Sequence, residues 1–193
     1  YDVATVINYH LDGSPFGVFS NDEAFPGVPG SDGGNNNFAT EVLTFLELTE
    51  GTQRLGVSVS ADRTDTGTDD GFTLYCGPDA RNYLATVIGV YARGNIPSWA
   101  STYNTNEFTV IVPQSGIYSF RLMYYQTRED ASLEFYSVDL DTGAKILLND
   151  STNPKAIKAY RASTAAFSNK PYITDISPTP GGSGFSPLAR SKC

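Results

Sequence analysis

One histidine, one methionine, one tryptophan and two cysteines are all that 193 residues hold of those types. The scarcity excludes a good deal. His10 is the only imidazole, so no histidine pair can hold a metal or share acid–base work, and at the end of a strand-like run it reads as a surface or capping side chain. No nucleophile elbow, no zinc-ligand spacing and no phosphate-cradling glycine loop occurs. A glycosidase needs only two carboxylates, but nothing singles out a pair among the 21 acids. The chain is therefore expected not to be an enzyme. Two cysteines allow at most one disulfide. Cys76 lies in Phe72-Thr73-Leu74-Tyr75-Cys76 on the side of Phe72 and Leu74, and is expected to be a buried thiol; pairing with Cys193 is the alternative.

Basic residues are also few, 13 against 21 acids, for a net charge of −8. That balance repels phosphates and argues against nucleic acid or an anionic lipid as partner, while leaving neutral partners such as glycans open. No apolar run approaches the length of a membrane span, so no membrane insertion is expected, and there is no signal peptide. A chain opening on Tyr1 is expected to be a mature or excised piece, in which missing targeting segments are uninformative.

What is abundant favours strands and turns: 12 Tyr, 11 Phe and 18 Gly, with many Thr and Asn. Tyr1 to His10 reads as a first strand. Asp12 to Asn37 is a long ordered loop with Phe16, Phe19 and Phe25 as anchors. Glu41 to Leu48 is apolar and reads as strand. Gln53 to Ser60 alternates, with Leu55, Val57 and Val59 on one face and Arg54, Gly56, Ser58 and Ser60 on the other, the pattern of a half-buried antiparallel strand. Further strands are expected at 71–76, 84–91, 108–112, 117–125, 132–139, 145–148 and 156–163. Pro113-Gln114-Ser115-Gly116 predicts a hairpin between two of them, with Tyr118, Phe120, Leu122 and Tyr124 inward and Tyr125 outward; Asp141-Thr142-Gly143 predicts another. The fold class implied is all-β, an antiparallel β-sandwich spanning residues 1–168. From Asn169 the Pro, Gly and Ser content predicts a flexible linker or tail over 169–193.

Chemistry concentrates in one place. Ser60 to Thr68 contains no large apolar residue and runs into Asp69-Asp70-Gly71-Phe72, so Asp62, Asp65, Asp69 and Asp70 crowd a loop between two strands. Such carboxylates repel one another unless solvent, salt or a cation intervenes, and calcium is the cation that suits them. Two adjacent aspartates can address one ion only through an unusual backbone, such as a cis peptide, and Gly71 would permit the turn.

The order of alternating strand, Asp69-Asp70-Gly71-Phe72, strand, then Gly116-Ile117-Tyr118-Ser119-Phe120-Arg121-Leu122-Met123-Tyr124-Tyr125, a polar loop and Ala131-Ser132-Leu133-Glu134-Phe135 resembles the protective-antigen-type β-sandwich. It is nearest to the branch of flocculin and GLEYA adhesins, and is similar to modules of long bacterial extracellular proteins. The match covers about Gln53 to Val138. In those lectins two consecutive aspartates joined by a cis peptide hold calcium, a loop after the Gly-x-Tyr strand completes the site, and sugar hydroxyls enter the shell. The resemblance implies calcium at Asp69 and Asp70, with Gln126 of the second loop as a further ligand; Asp65, from the crowded acidic loop, is the other candidate ligand. Sugar contacts would come from Arg128, Glu129 and Asp130. The departures are Gln126 where the lectins place Asn, Asp130 where they place an aromatic, and a first loop lengthened by 62–68.

Stacking on a sugar needs an aromatic ring. Tyr125, outward and leading into the second loop, is the first choice; Trp99, in a polar stretch, reads first as a lid over the core and second as an exposed platform. The function implied is a non-catalytic, calcium-dependent carbohydrate-binding module of a secreted or surface protein, with a polysaccharide or glycan as ligand and neighbouring domains in a larger chain. A structural spacer or assembly module without a glycan ligand is the alternative.

Overall fold

The computed structural model describes residues 1–28, 37–60, 70–78, 81–82, 84–92, 103–127 and 131–161, together with the backbone of 175–178. No helix occurs among them. The described residues form twelve strands: β1 (Asn8–His10), β2 (Glu23–Ala24), β3 (Phe38–Leu48), β4 (Gly51–Ser60), β5 (Gly71–Gly77), β6 (Thr86–Tyr91), β7 (Tyr103–Val112), β8 (Gly116–Gln126), β9 (Ser132–Val138), β10 (Lys145–Leu147), β11 (Ala159–Tyr160) and β12 (Asp175–Pro178). One sheet has the order β12-β7-β4-β9-β1-β2, with β10 also on β9; the other has the order β11-β3-β8-β5-β6. Every pairing is antiparallel except β1 with β2. The fold is thus an all-β sandwich.

Period-two patterning builds the core. Leu55, Val57 and Val59 of β4 and Phe108, Val110 and Val112 of β7 meet Phe72, Leu74 and Cys76 of β5 and Tyr118, Phe120, Leu122 and Tyr124 of β8. Phe72 and Phe108 cross edge to face between the sheets, ring centroids 6.0 Å apart. Each such side chain contributes about 1.5–3 kcal/mol by leaving water.

Several expectations change. Strands β7 and β8 are not a hairpin: β7 pairs with β4 and β12, β8 with β3 and β5, so Pro113-Gln114-Ser115 steps from one sheet to the other. Thr49-Glu50 makes the same step between β3 and β4, and the Glu50 N–H donates to Ser115 Oγ at 2.9 Å, binding the two arches together. Inward alternation on both flanks is common to a hairpin and an arch, so it cannot separate them. Of the first ten residues only Asn8–His10 pair as strand, and among the described residues of 156–163 only Ala159–Tyr160. Within the segment expected as a linker, Asp175–Pro178 pairs with β7 at Phe108–Ile111.

The largest departure concerns β4. Its second face is not solvated: Ser58 and Ser60 are as buried as Val57 and Val59. The chain from Asp12 to Ala24 straps across the outer face of that sheet. Phe16 stacks on His10 (4.8 Å) and Phe19 packs near Tyr136 (5.9 Å), while Phe25 turns into the core against Tyr124. The aromatic anchors were legible in the sequence; the strand that they cover was not.

Candidate functional site

Four connections cross between the sheets at one end of the sandwich: from Ala24 to Phe38, from Ser60 to Gly71, from Tyr91 to Tyr103 and from Gln126 to Ser132. Register fixes this, since Ser60 lies beside Tyr103, Phe72 beside Tyr91, Gly71 beside Tyr125 and Phe38 beside Gln126. The two arches occupy the opposite end. The acidic loop, the second loop and the stretch containing Trp99 are therefore attached to the same rim. Asp65, Asp69, Trp99, Arg128, Glu129 and Asp130 themselves lie outside the described residues, as does the Asp69–Asp70 peptide bond.

Asp70 is 0% exposed. Two residues before Phe72 on the same parity, it faces inward between the sheets. Tyr124, paired with Phe72 on β8, donates its hydroxyl to Asp70 Oδ2 at 2.6 Å. The Ser132 N–H, at the start of β9 in the other sheet, reaches the same oxygen at 3.4 Å. The carboxylate thus ties the two sheets at the rim. Phe25 stacks on the Tyr124 ring (centroids 5.5 Å, planes 14° apart), and Phe38 packs against both rings, at 5.9 Å from Tyr124 and 5.4 Å from Phe25, so the hydroxyl is aimed by packing.

Gln126, nearly fully buried, shares the inward parity of Tyr124 and lies beneath the same rim. Asn104 and Asn106 join from β7, opposite Val59 and Val57; the Nδ2 atoms of both have no hydrogen-bond partner among the described residues. Sequence reasoning missed these two, although the run Asn104-x-Asn106-x-Phe108-x-Val110-x-Val112 places them on the core face. Amides and a carboxylate thus sit at the rim beside Phe25, Phe38 and Tyr124.

Tyr125 stands apart. It is outward, as alternation predicts, but its ring lies over Gly71 on the outer face of the sheet, where any Cβ at residue 71 would collide with it. The strand layer separates it from Asp70 and Gln126. Structure thus brings Asp70 and Gln126 to one inner rim and sets Tyr125 on the far side of β8.

Carboxylate and amide oxygens are the donor class that calcium takes. An ionised carboxylate has about four lone-pair sites, so Asp70 can receive the Tyr124 hydroxyl and still serve a cation. Gathered groups of three or more His, Cys, Asp or Glu side chains do not occur among the described residues. Compared with known proteins, the sequence matches no family model and no curated protein.

Proposed function

We propose that this chain is a non-catalytic, calcium-dependent carbohydrate-binding module of a secreted or surface protein. The observation that carries the reading is convergence: the two loops expected to make the site spring from one rim, with Asp70 and Gln126 buried beneath them. Calcium there would be held by Asp70 and Gln126 with Asp69 and Asp65 from the loop. It would supply a fixed positive charge that orients vicinal sugar hydroxyls. Arg128, Glu129 and Asp130 would bond the remaining hydroxyls, and Trp99 or Tyr125 would stack on the ring. Tyr125 can do so only by presenting the outer edge of the sheet. Such shallow sites bind weakly, so a Kd on the order of micromolar to millimolar is expected for a short glycan.

The test is a glycan array with and without chelator, repeated on Asp69→Ala and Tyr124→Phe. Binding lost with chelator and with Asp69→Ala, but kept in Tyr124→Phe, supports the reading. Binding that ignores both chelator and Asp69→Ala overturns the calcium mechanism.

A specific observation favours a second reading. The tie of Asp70 to Tyr124 and Ser132 is a structural role in itself, and it suits a spacer or assembly module without a glycan ligand. Calcium that raises the melting temperature with no glycan bound on a broad array would select it.

A further inference from the structure

The outer face of the β4 and β9 sheet carries a second buried polar cluster, on the other side of that sheet from the rim carboxylate and used by nothing above. Glu134 on β9 is 0% exposed. Its Oε1 accepts from the Val18 and Phe19 N–H groups, both at 2.8 Å, and its Oε2 accepts from Val18 at 3.1 Å. Gly17, at φ 88°, makes this approach possible: a Cβ there would strike the carboxylate. Strap and sheet are thus joined through one acid.

Among the described residues, neither register partner of Glu134 is a lysine or arginine. On one side β1 sets Asn8 directly opposite; Asn8 is also 0% exposed, and neither its Oδ1 nor its Nδ2 has a partner among the described residues. His10 follows on the same face, its Nδ1 turned to Asp12 and Ser14. On the other side β4 sets Ser58 directly opposite, with Arg54 four residues back along the same face. From the strap, Asp22 uses Oδ2 to hold the Phe16 N–H (3.0 Å) and adds a second negative charge. Tyr136 lies next along β9, and beyond it Glu107 of β7 is paired with Lys145 of β10 at 3.3 Å. The basic side chain reached by these contacts is therefore already committed to another acid.

We propose that the strap over residues 12–24 is an acid-tightened clasp, in which Glu134 takes up one proton and holds the strap more firmly as pH falls. The proton goes to Oε2, since Oε1 keeps both short bonds to the strap. The new O–H donates to Asn8 Oδ1, which is thereby satisfied, and the repulsion from Asp22 is removed. Burial, and secondarily Asp22, pushes the Glu134 carboxyl up against the opposing pull of Phe19, Ser58 and Val18; burial likewise pushes Asp22 up. A group that binds its proton more tightly when folded adds stability as pH falls through its raised value, and loses it as pH rises.

The experiment is amide hydrogen exchange at Val18 and Phe19 by NMR between pH 5 and 8 on the whole chain, expressed as protection factors so that intrinsic exchange is removed. One linked proton predicts protection that rises on acidification by up to about tenfold per pH unit within the window. Glu134→Gln should be flat with pH, and at pH 7.5 at least as protected as the parent. Asp22→Asn should shift the rise to lower pH, and His10→Gln should retain it. Parent protection that is flat or falls on acidification overturns the proposal. So does a rise abolished by His10→Gln, which would put the proton on the imidazole. Should Glu134→Gln fail to fold, the parent and the other two variants still decide.

Discussion

The Asp70–Tyr124 tie makes a demand that a double-mutant cycle can test. Tyr124→Phe removes one hydroxyl from a fully buried carboxylate and changes no packing volume. Loss of a hydrogen bond to a charged acceptor is worth about 1.5–3 kcal/mol. Asp70→Ala does more, because it leaves the Tyr124 hydroxyl and the Ser132 N–H without their acceptor; about 2–4 kcal/mol is expected. The two changes act on one bond, so the double variant should cost less than their sum, by a coupling energy of about 1.5–2 kcal/mol. For a chain of this size, 2 kcal/mol lowers Tm by about 4–8 °C. Urea unfolding followed by circular dichroism gives each stability, and an unchanged m-value confirms that only stability moved. Additivity within about 0.5 kcal/mol would refute the tie.

Repeating the cycle in millimolar calcium separates structure from binding. If calcium sits on Asp70, it should stabilise the parent and Tyr124→Phe but not Asp70→Ala, by about 2.7 kcal/mol at a hundredfold excess over Kd. A shift equal in all three variants would place calcium elsewhere.

Gly56 and Gly71 both lie under tyrosine rings, and should respond differently to alanine. Tyr136 over Gly56 is fully buried and has nowhere to go, so Gly56→Ala should cost about 3 kcal/mol in urea unfolding. Tyr125 over Gly71 is half-buried and can swing outward, so Gly71→Ala should change stability little while altering glycan binding. Removing residues 175–193 should bare the β7 edge at Phe108–Ile111, lower Tm by a few degrees and promote self-association, which light scattering would detect. Asp12 is held down to about 2, first by the Ser14 side chain. Its contribution to the strap is present above the ordinary carboxylate value and fades as pH falls toward 2, so Val18 exchange should quicken again there.

How much could be read beforehand depended on what each pattern encodes. Alternation reports which side chains share a face, and it placed Leu55, Val57, Val59, Phe108, Tyr118 and Tyr124 in the core. It reports nothing of which sheet a strand joins, so Phe108–Val112 and Ile117–Tyr125 looked like a hairpin until register assigned them to opposite layers. Nor does it reveal what lies over a polar face. Ser58 and Glu134 have the composition of a solvated surface, and only the strap, closing from more than a hundred residues away in the case of Val18, makes them interior. At the rim, Asp70 drew attention as one of a crowd of acids. Its inward direction and its bond to Tyr124 follow from parity with Phe72, a signal present in the sequence but overshadowed by the charge around it.

Rim and strap meet at one residue. Ser132 opens β9; its N–H reaches Asp70 on the inner side, while its register partner His10 anchors the strap on the outer side through Phe16, Asp12 and Ser14. Ser132 is fully buried, and two residues on along the same face stands Glu134. A displacement of the first turn of β9 would therefore be felt by both. Loosening the strap at neutral pH removes packing from one face of Ser132, and the other face carries the inter-sheet tie beneath the proposed calcium site. If the two are coupled, calcium affinity should change on acidification through the Glu134 transition by the same factor by which saturating calcium changes the proton affinity of Glu134, because linkage between two binding equilibria is reciprocal. Calcium titrations of the parent against pH, beside Val18 exchange against pH with and without calcium, measure the two factors separately, and Glu134→Gln should remove the first. Factors that both equal one would show that the strap and the rim respond independently.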